Sequence, residues 1–239
     1  MSLSLSEFPD GWLRALVVVA HPDDMEYGGA AAVARWTAEG KHVAYLLATR
    51  GEAGIDGMDP AEATVVREGE QRESCGLVGV DTLEWLDHPD GLVEYGLPLR
   101  RDIAGAIRRH RPELVVAVNH RETYGPGVLN MADHRVVGQA TIDAVRDAAN
   151  RWLFRDLMDE AWSGVRHVAV AGSPQPTHAV DVTGTFDKGV ESLRAHSAYL
   201  AGLGDHPLAD PEAFLRQIAE ATGERAGVPM AVAFEVFDL

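Results

Sequence analysis

Leu16-Val17-Val18-Val19-Ala20 is an unbroken apolar run, rich in β-branched side chains, that stops at His21-Pro22. A strand exposed on one face would alternate polar and apolar residues, so this run predicts a central strand covered on both faces. From Tyr27 to Glu39, Ala30, Val33, Ala34 and Thr37 recur at helical spacing, and Gly40 stands where a left-handed cap ends a helix. Strand, loop and helix therefore follow one another at the start of the chain.

The alternation repeats. Lys41 to Thr49 reads as a second strand, Gly51, Gly54 and Gly57 mark a loop, and Pro60 to Leu77 forms a charged amphipathic helix. Thr82 to Leu86 is a short strand. Leu99, Ile103, Ala106 and Ile107 make a helical stripe that ends near His110-Arg111-Pro112, because the residue before proline avoids helical angles. Leu114 to Val118 is a buried strand, Asn119 to Asn130 a loop, and Val137, Thr141, Ala144 and Val145 mark another helix. Val165 to Ala171 and Ala179 to Val182 are strands, Phe186 to Leu203 and Glu212 to Ala221 helices, and Ala231 to Phe237 an edge strand. This order predicts an α/β fold: a Rossmann-like, mostly parallel sheet with helices on both faces. The 239 residues suit one domain spanning 1–239. Such sheets bind ligands at the carboxyl ends of their strands, which singles out the loops after Ala20, Thr49 and Val118.

Charge and composition narrow the function. Against 37 Asp and Glu stand 21 Lys and Arg, a net charge of −16 with no basic cluster, which excludes a nucleic-acid partner. The lone Cys75 rules out an intrachain disulfide and a thiolate metal cage and fits a reducing compartment. Met1 to Asp10 has no basic residue ahead of an apolar run, and Ala15 to Ala20 is too short to cross a bilayer. A cytoplasmic protein with no membrane partner is expected; the sequence leaves room for a homo-oligomer. Gly28-Gly29-Ala30 arrives too late for a phosphate-binding G-x-G-x-x-G turn, and no G-x-S-x-G elbow is present.

The ionisable groups collect in Ala20-His21-Pro22-Asp23-Asp24-Met25-Glu26, directly after the first strand. His21 and Asp24 lie three residues apart, so a tight turn can aim an imidazole and a carboxylate at one metal ion. Asp23 is then left to hold and move the proton of a bound water. The same aspartates suit helix capping, and His21 suits a hydrogen-bonded core histidine. His134 shares a helical stripe with Val137, Thr141 and Val145 and should look inward. Two histidines and one carboxylate leave room for water and form a catalytic set, for zinc or ferrous iron alike.

AHPDDMEYGG at Ala20 to Gly29, ATRGEAG at Ala48 to Gly54, Arg67-Glu68-Gly69-Glu70 and NMADH at Asn130 to His134 resemble the LmbE / PIG-L family of metal-dependent N-deacetylases. Lys188 and His196 are weaker echoes. The resemblance implies hydrolysis of an acetamide on an N-acetylglucosamine-type glycoside or conjugate, with thiol conjugates or natural-product glycosides as alternative substrates. It implies that His21, Asp24 and His134 hold zinc (or ferrous iron), that Asp23 is the general base, and that Asp133 orients a ligand histidine. Arg67 resembles a substrate-contacting arginine.

One position departs from the pattern. Many members carry a histidine where this chain has Met131, which can neither stabilise an oxyanion nor protonate an amine. His120, after the strand Leu114 to Val118, is the first candidate to replace it; Arg50, Asn130 and His178 follow. Asn130 is also expected at the substrate, as are the loops Ile55 to Asp59 and Glu122 to Asn130. Tyr124, Tyr95 and Trp85 are candidates to stack on a sugar. A degenerate, non-catalytic member is the remaining alternative.

Overall fold

In the computed structural model, which describes residues 4–239, β1 (Ser6–Glu7) precedes β2 (Arg14–Val19), the strand of the first apolar run. The opening three residues of the segment read for targeting signals lie outside the described residues. The helix expected from Tyr27 to Glu39 is two helices, α1 (Asp24–Gly28) and α2 (Ala30–Ala38). They break at Gly29, whose N–H closes α1 on Met25 O while its carbonyl accepts from Ala32 and Val33. A Cβ there would stand 2.7 Å from the Met25 methyl and 3.1 Å from the Phe234 ring, so close packing requires glycine.

Then come β3 (His42–Leu47), α3 (Pro60–Leu77), β4 (Thr82–Trp85), α4 (Leu97–His110) and β5 (Leu114–Ala117). The segment expected to be a plain loop, Asn119 to Asn130, contains a small hairpin of β6 (Thr123–Gly125) and β7 (Val128–Leu129). Pro126-Gly127 makes its turn, with Gly127 at φ 77°. After α5 (Ala132–Ala149) follow β8 (His167–Ala171) and β9 (His178–Asp181). The helix expected from Phe186 to Leu203 is α6 (Phe186–Arg194) and α7 (Ser197–Gly202), and the chain bends between them to bury His196 completely. The shorter helix is longer than its pattern indicated, α8 (Pro211–Ala226), and β10 (Ala231–Asp238) closes the order. No helix among the described residues is long and apolar enough to cross a membrane.

The main sheet runs β1-β9-β10-β8-β5-β2-β3-β4. Strands β8, β5, β2, β3 and β4 are parallel, as expected; β10 is antiparallel to both neighbours, β8 and β9. It is therefore an interior strand rather than the expected edge. Its Phe234 packs on Phe8 and Trp36, and its place inside the sheet is set by pairing with β8 on one side and β9 on the other.

β2 lies between β3 and β5, so the chain leaves it to one side for β3 and β4 and returns on the other at β5. The carboxyl ends of β2 and β5 thus flank the crevice where such sheets open. α5 is pressed against the segment after β5 at Gly138, where any Cβ would collide with the Val118 carbonyl and with His120.

Glu235 on β10 ties the neighbouring loops together by accepting from Arg121, after β5, and from Ser173 Oγ at 2.6 Å, after β8. Burial pushes the Glu235 carboxyl up, but the bonds from Arg121 and Ser173 outweigh it and hold it below the usual range. A folded value below the unfolded one stabilises the fold at neutral pH, and that contribution is lost as pH falls through the folded value. Glu235→Gln should therefore cost about 1 to 3 kcal/mol at pH 7, and the cost should shrink once pH drops below about 4. Urea unfolding at stepped pH measures it; a cost that stays constant down to pH 3 would refute the pairing as its source.

Candidate active site

The turn between β2 and α1 places its side chains through backbone strain and capture. Asp23 adopts φ 83°, a left-handed conformation uncommon for a residue with a Cβ. Its N–H donates to Gln71 Oε1 at 3.1 Å on α3. Asp24 Oδ2 accepts from the N–H groups of Ala20 and His21, both at 2.9 Å. Neither aspartate caps α1 with its side chain, so the capping alternative does not describe either residue here.

With Oδ2 fixed, Asp24 turns Oδ1 toward two imidazoles. His134 Nε2, from the first turn of α5, lies 2.9 Å from Asp24 Oδ1 and 3.1 Å from His21 Nδ1; His21 Nδ1 lies 3.7 Å from the same oxygen. A tetrahedral ion with bonds of about 2.1 Å holds its donors about 3.4 Å apart, and the three separations bracket that spacing. One oxygen and two nitrogens facing one point fit a single divalent cation.

Electrostatics point the same way. Burial disfavours charge on His21, but the carboxylates of Asp24, Asp133 and Asp90 outweigh it and hold the ring well above its ordinary pKa. Burial also works against the Asp24 carboxylate; the neighbouring His134 and His21 rings prevail and hold its carboxyl far below the usual range.

The far sides of both rings are held as well. His21 Nε2 lies 3.2 Å from Asp133 Oδ2 and 3.0 Å from Asp90 Oδ1, and the Tyr124 hydroxyl shares a hydrogen bond with His134 Nδ1. Asp133 also accepts from the N–H groups of Gly91 at 2.7 Å and Val93 at 3.2 Å, and Asp90 from Ala53 N–H at 2.8 Å. Asp90 and the Tyr124 contact to His134 are absent from the sequence reading. Asp90 sits in an irregular segment without periodicity, its only cue being the turn sequence Pro89-Asp90-Gly91.

Burial pushes the Asp23 carboxyl up to about 7, with Arg67 pulling the other way. Arg67 on α3 donates to Asp23 Oδ2 at 2.6 Å, to Pro22 O at 2.7 Å and to Gly51 O at 3.0 Å. Gly51, at φ 67°, allows this approach, since a Cβ there would collide with the guanidinium. Arg67 was expected to contact substrate; it borders the cavity, yet its guanidinium is committed to the turn that carries Asp23.

Two expected residues are not brought to the cavity. His120 is half-buried, is not among the residues lining the cavity, and has Nδ1 buried without a partner among the described residues. Physically, it lies against Gly138 of α5, held to one side by the tight contact there. Asn130 is buried, donating to Asn119 O at 2.7 Å and Arg121 O at 2.8 Å and accepting from Met131 N–H. Its amide braces the loop after β5. Arg50 is bound to Glu68 and Asp87, and His178 lies on β9, away from the cavity lining.

His21, Asp23, Asp24, Asp90, His134 and Tyr124 border one cavity of about 880 Å³, large enough for a small-molecule substrate.

Comparison with known proteins adds the lineage. The sequence family described as "PIG-L: GlcNAc-PI de-N-acetylase" matches residues 16–145. The chain is 27% identical over 191 residues to a diacetylchitobiose deacetylase of Thermococcus kodakarensis, covering 77% of this chain and 69% of that one. It is 32% identical over 170 residues to a 1D-myo-inositol 2-acetamido-2-deoxy-alpha-D-glucopyranoside deacetylase of Kineococcus radiotolerans, covering 57% of this chain and 45% of the relative. The latter match thus spans under half of that protein. The fold is that of the N,N'-diacetylchitobiose deacetylase of Pyrococcus horikoshii: TM-score 0.85, 24% identity, covering 95% of this chain and 84% of the other.

The buried Arg67–Asp23 pair yields a stability test. Arg67→Met leaves the buried Asp23 carboxylate and the Pro22 carbonyl without their donor and should cost about 3 to 5 kcal/mol in urea unfolding. Adding Asp23→Asn should recover part of that loss, because the uncompensated acid is gone. Equal losses in the single and double variants would show that the ion pair is not the source.

Proposed function

The chain belongs to the PIG-L family, and on that premise we propose that it is a metal-dependent N-deacetylase of N-acetylglucosamine-type glycosides or conjugates. The observation that carries this reading is the convergence of Asp24 Oδ1, His21 Nδ1 and His134 Nε2 at 2.9 to 3.7 Å on the border of a substrate-sized cavity. These three atoms would hold zinc, or ferrous iron in its place. When bound, such an ion would lower the pKa of a coordinated water towards about 7 and polarise an acyl oxygen.

The protein's own groups do the rest. With an ion bound, Asp133 and Asp90 would accept from His21 Nε2–H and so keep the Nδ1 lone pair for the ion. Tyr124 would accept from His134 Nδ1–H in the same manner. Arg67 holds Asp23 by Oδ2, so Oδ1, without a partner among the described residues, is the atom that takes the water's proton. The water oxygen forms a bond to the acyl carbon, the carbon–nitrogen bond breaks, and Asp23 Oδ1 returns the proton to the departing nitrogen. Acetic acid and a free amine result, and transfer of the acid's proton to the amine leaves acetate and an ammonium group. With Met131 in the histidine's place and His120 outside the cavity lining, Asp23 serves both proton transfers.

Substitution separates base from ligands. Asp23→Asn should retain about one metal per chain by elemental analysis while lowering kcat on N-acetylglucosamine at least about 100-fold. Asp24→Ala and His134→Ala should lose the metal itself. Near-normal turnover by metal-replete Asp23→Asn protein would remove Asp23 from the role of base.

A further inference from the structure

The cavity extends well beyond the groups that do the chemistry. Tyr27 stands one helical turn along α1 from Asp24, and its ring meets Phe214 of α8 edge-on, with centroids 5.7 Å apart. From that contact the cavity runs under α8. Its walls there include Phe214, Leu215 and Ile218 from one face of α8, Phe186 from the start of α6, and Val232 from β10. These positions on α8 follow the i, i+1, i+4 spacing of a core-facing stripe. Yet Phe214, Leu215 and Val232 are only partly buried, because the stripe borders open space where a core would normally fill it. Tyr27 Oη donates to Leu208 O at 2.9 Å, which fixes the ring as the wall joining the two parts.

A sugar hydroxyl gains nothing from such walls, since desolvating it without a partner is unfavourable. An alkyl or aryl group gains by covering them, about fourfold in affinity for each methylene buried. At about 880 Å³ the whole cavity lies at the upper end of what a single small ligand occupies. We infer that the space under α8 is an apolar subsite, continuous with the Asp24–His21–His134 cluster, that takes an alkyl or aryl group carried by the substrate. This rests on the hydrolase reading for the polar half of the cavity, but the apolar half is defined by its own walls. The group comes either from the aglycone or from an acyl chain longer than acetyl.

The test separates these sources and separates this inference from the hydrolase reading. Calorimetry on metal-loaded Asp23→Asn protein compares octyl with methyl β-D-glucopyranoside, and N-octanoylglucosamine with N-acetylglucosamine. At least one octyl ligand should bind 10-fold or more tightly than its short partner, and the ligand that does so identifies the source. Ile218→Glu, a change on a partly exposed helix position with good helix propensity, should bring that ratio close to one; Phe214→Ala provides a second check should the first variant unfold. Hydrolysis of the matching acylated glycosides by the unmodified enzyme is followed separately. Absence of turnover on every substrate would sink the hydrolase reading while the binding ratios still decide the subsite. Ratios near one for both pairs would overturn the subsite even with turnover intact.

Discussion

Everything at this site depends on how the Asp24 carboxylate is divided. One oxygen closes the turn by accepting two backbone N–H groups, and the other faces both imidazoles. Without the first, the oxygen that faces the rings would have a rotamer's freedom; without the second, the rings would face each other without a compensating acid. The division requires Asp23 to take a left-handed backbone conformation, of a kind that costs roughly 1 to 3 kcal/mol and persists only where surrounding contacts fix it. Gln71 and Arg67, both on α3, are those contacts. A helix one crossover away in the chain thus holds the turn, which makes α3 part of the site although none of the three donor residues lies on it.

Much of this was legible because the underlying signals are local. The unbroken β-branched run, the glycine caps and the Pro60 start of α3 each follow from short-range sterics, and the alternation of strands and helices singled out the loops after β2, β3 and β5. His134 was legible through periodicity alone, since a helix stripe that turns Val137 and Thr141 inward must do the same to a histidine one turn earlier. The misreadings are tertiary. Gly29, where the helix divides, lies against Phe234, distant in sequence, as well as against the Met25 methyl, so that a Cβ there would stand 3.1 and 2.7 Å from them. β10 was expected at the edge, but its interior place is set by pairing with β8 and β9, which no local pattern encodes.

The same distinction explains the site residues. His120 was singled out for its place after a strand end, but the collision that makes residue 138 glycine brings α5 against it from the other side. Asn130 was singled out for its place in a motif, and a motif does not say whether a side chain serves ligand or loop. Asp90 escaped notice for the converse reason: it lies in an irregular stretch, and what makes it matter is the 3.0 Å to His21 Nε2. Two carboxylates around one ring nitrogen fix that ring's tautomer more firmly than one, since the proton on Nε2 has an acceptor in either direction.

Arg67 shows how fold and chemistry constrain each other. An arginine at the substrate would have to give up hydrogen bonds to the protein in order to recognise a ligand, whereas here three of them hold Asp23 and the turn around it. The arrangement gives the carboxylate one fixed oxygen and one available oxygen, which is the condition for a group that must receive a proton and then release it. It also explains why the loop at Gly51 carries glycine: the guanidinium lies where a side chain would be, so the second strand's loop and the first strand's turn are joined through one buried cation. Around it the cavity is bordered by the apolar side chains along α8 and by the ring of Tyr27, which its own bond to Leu208 O holds in place.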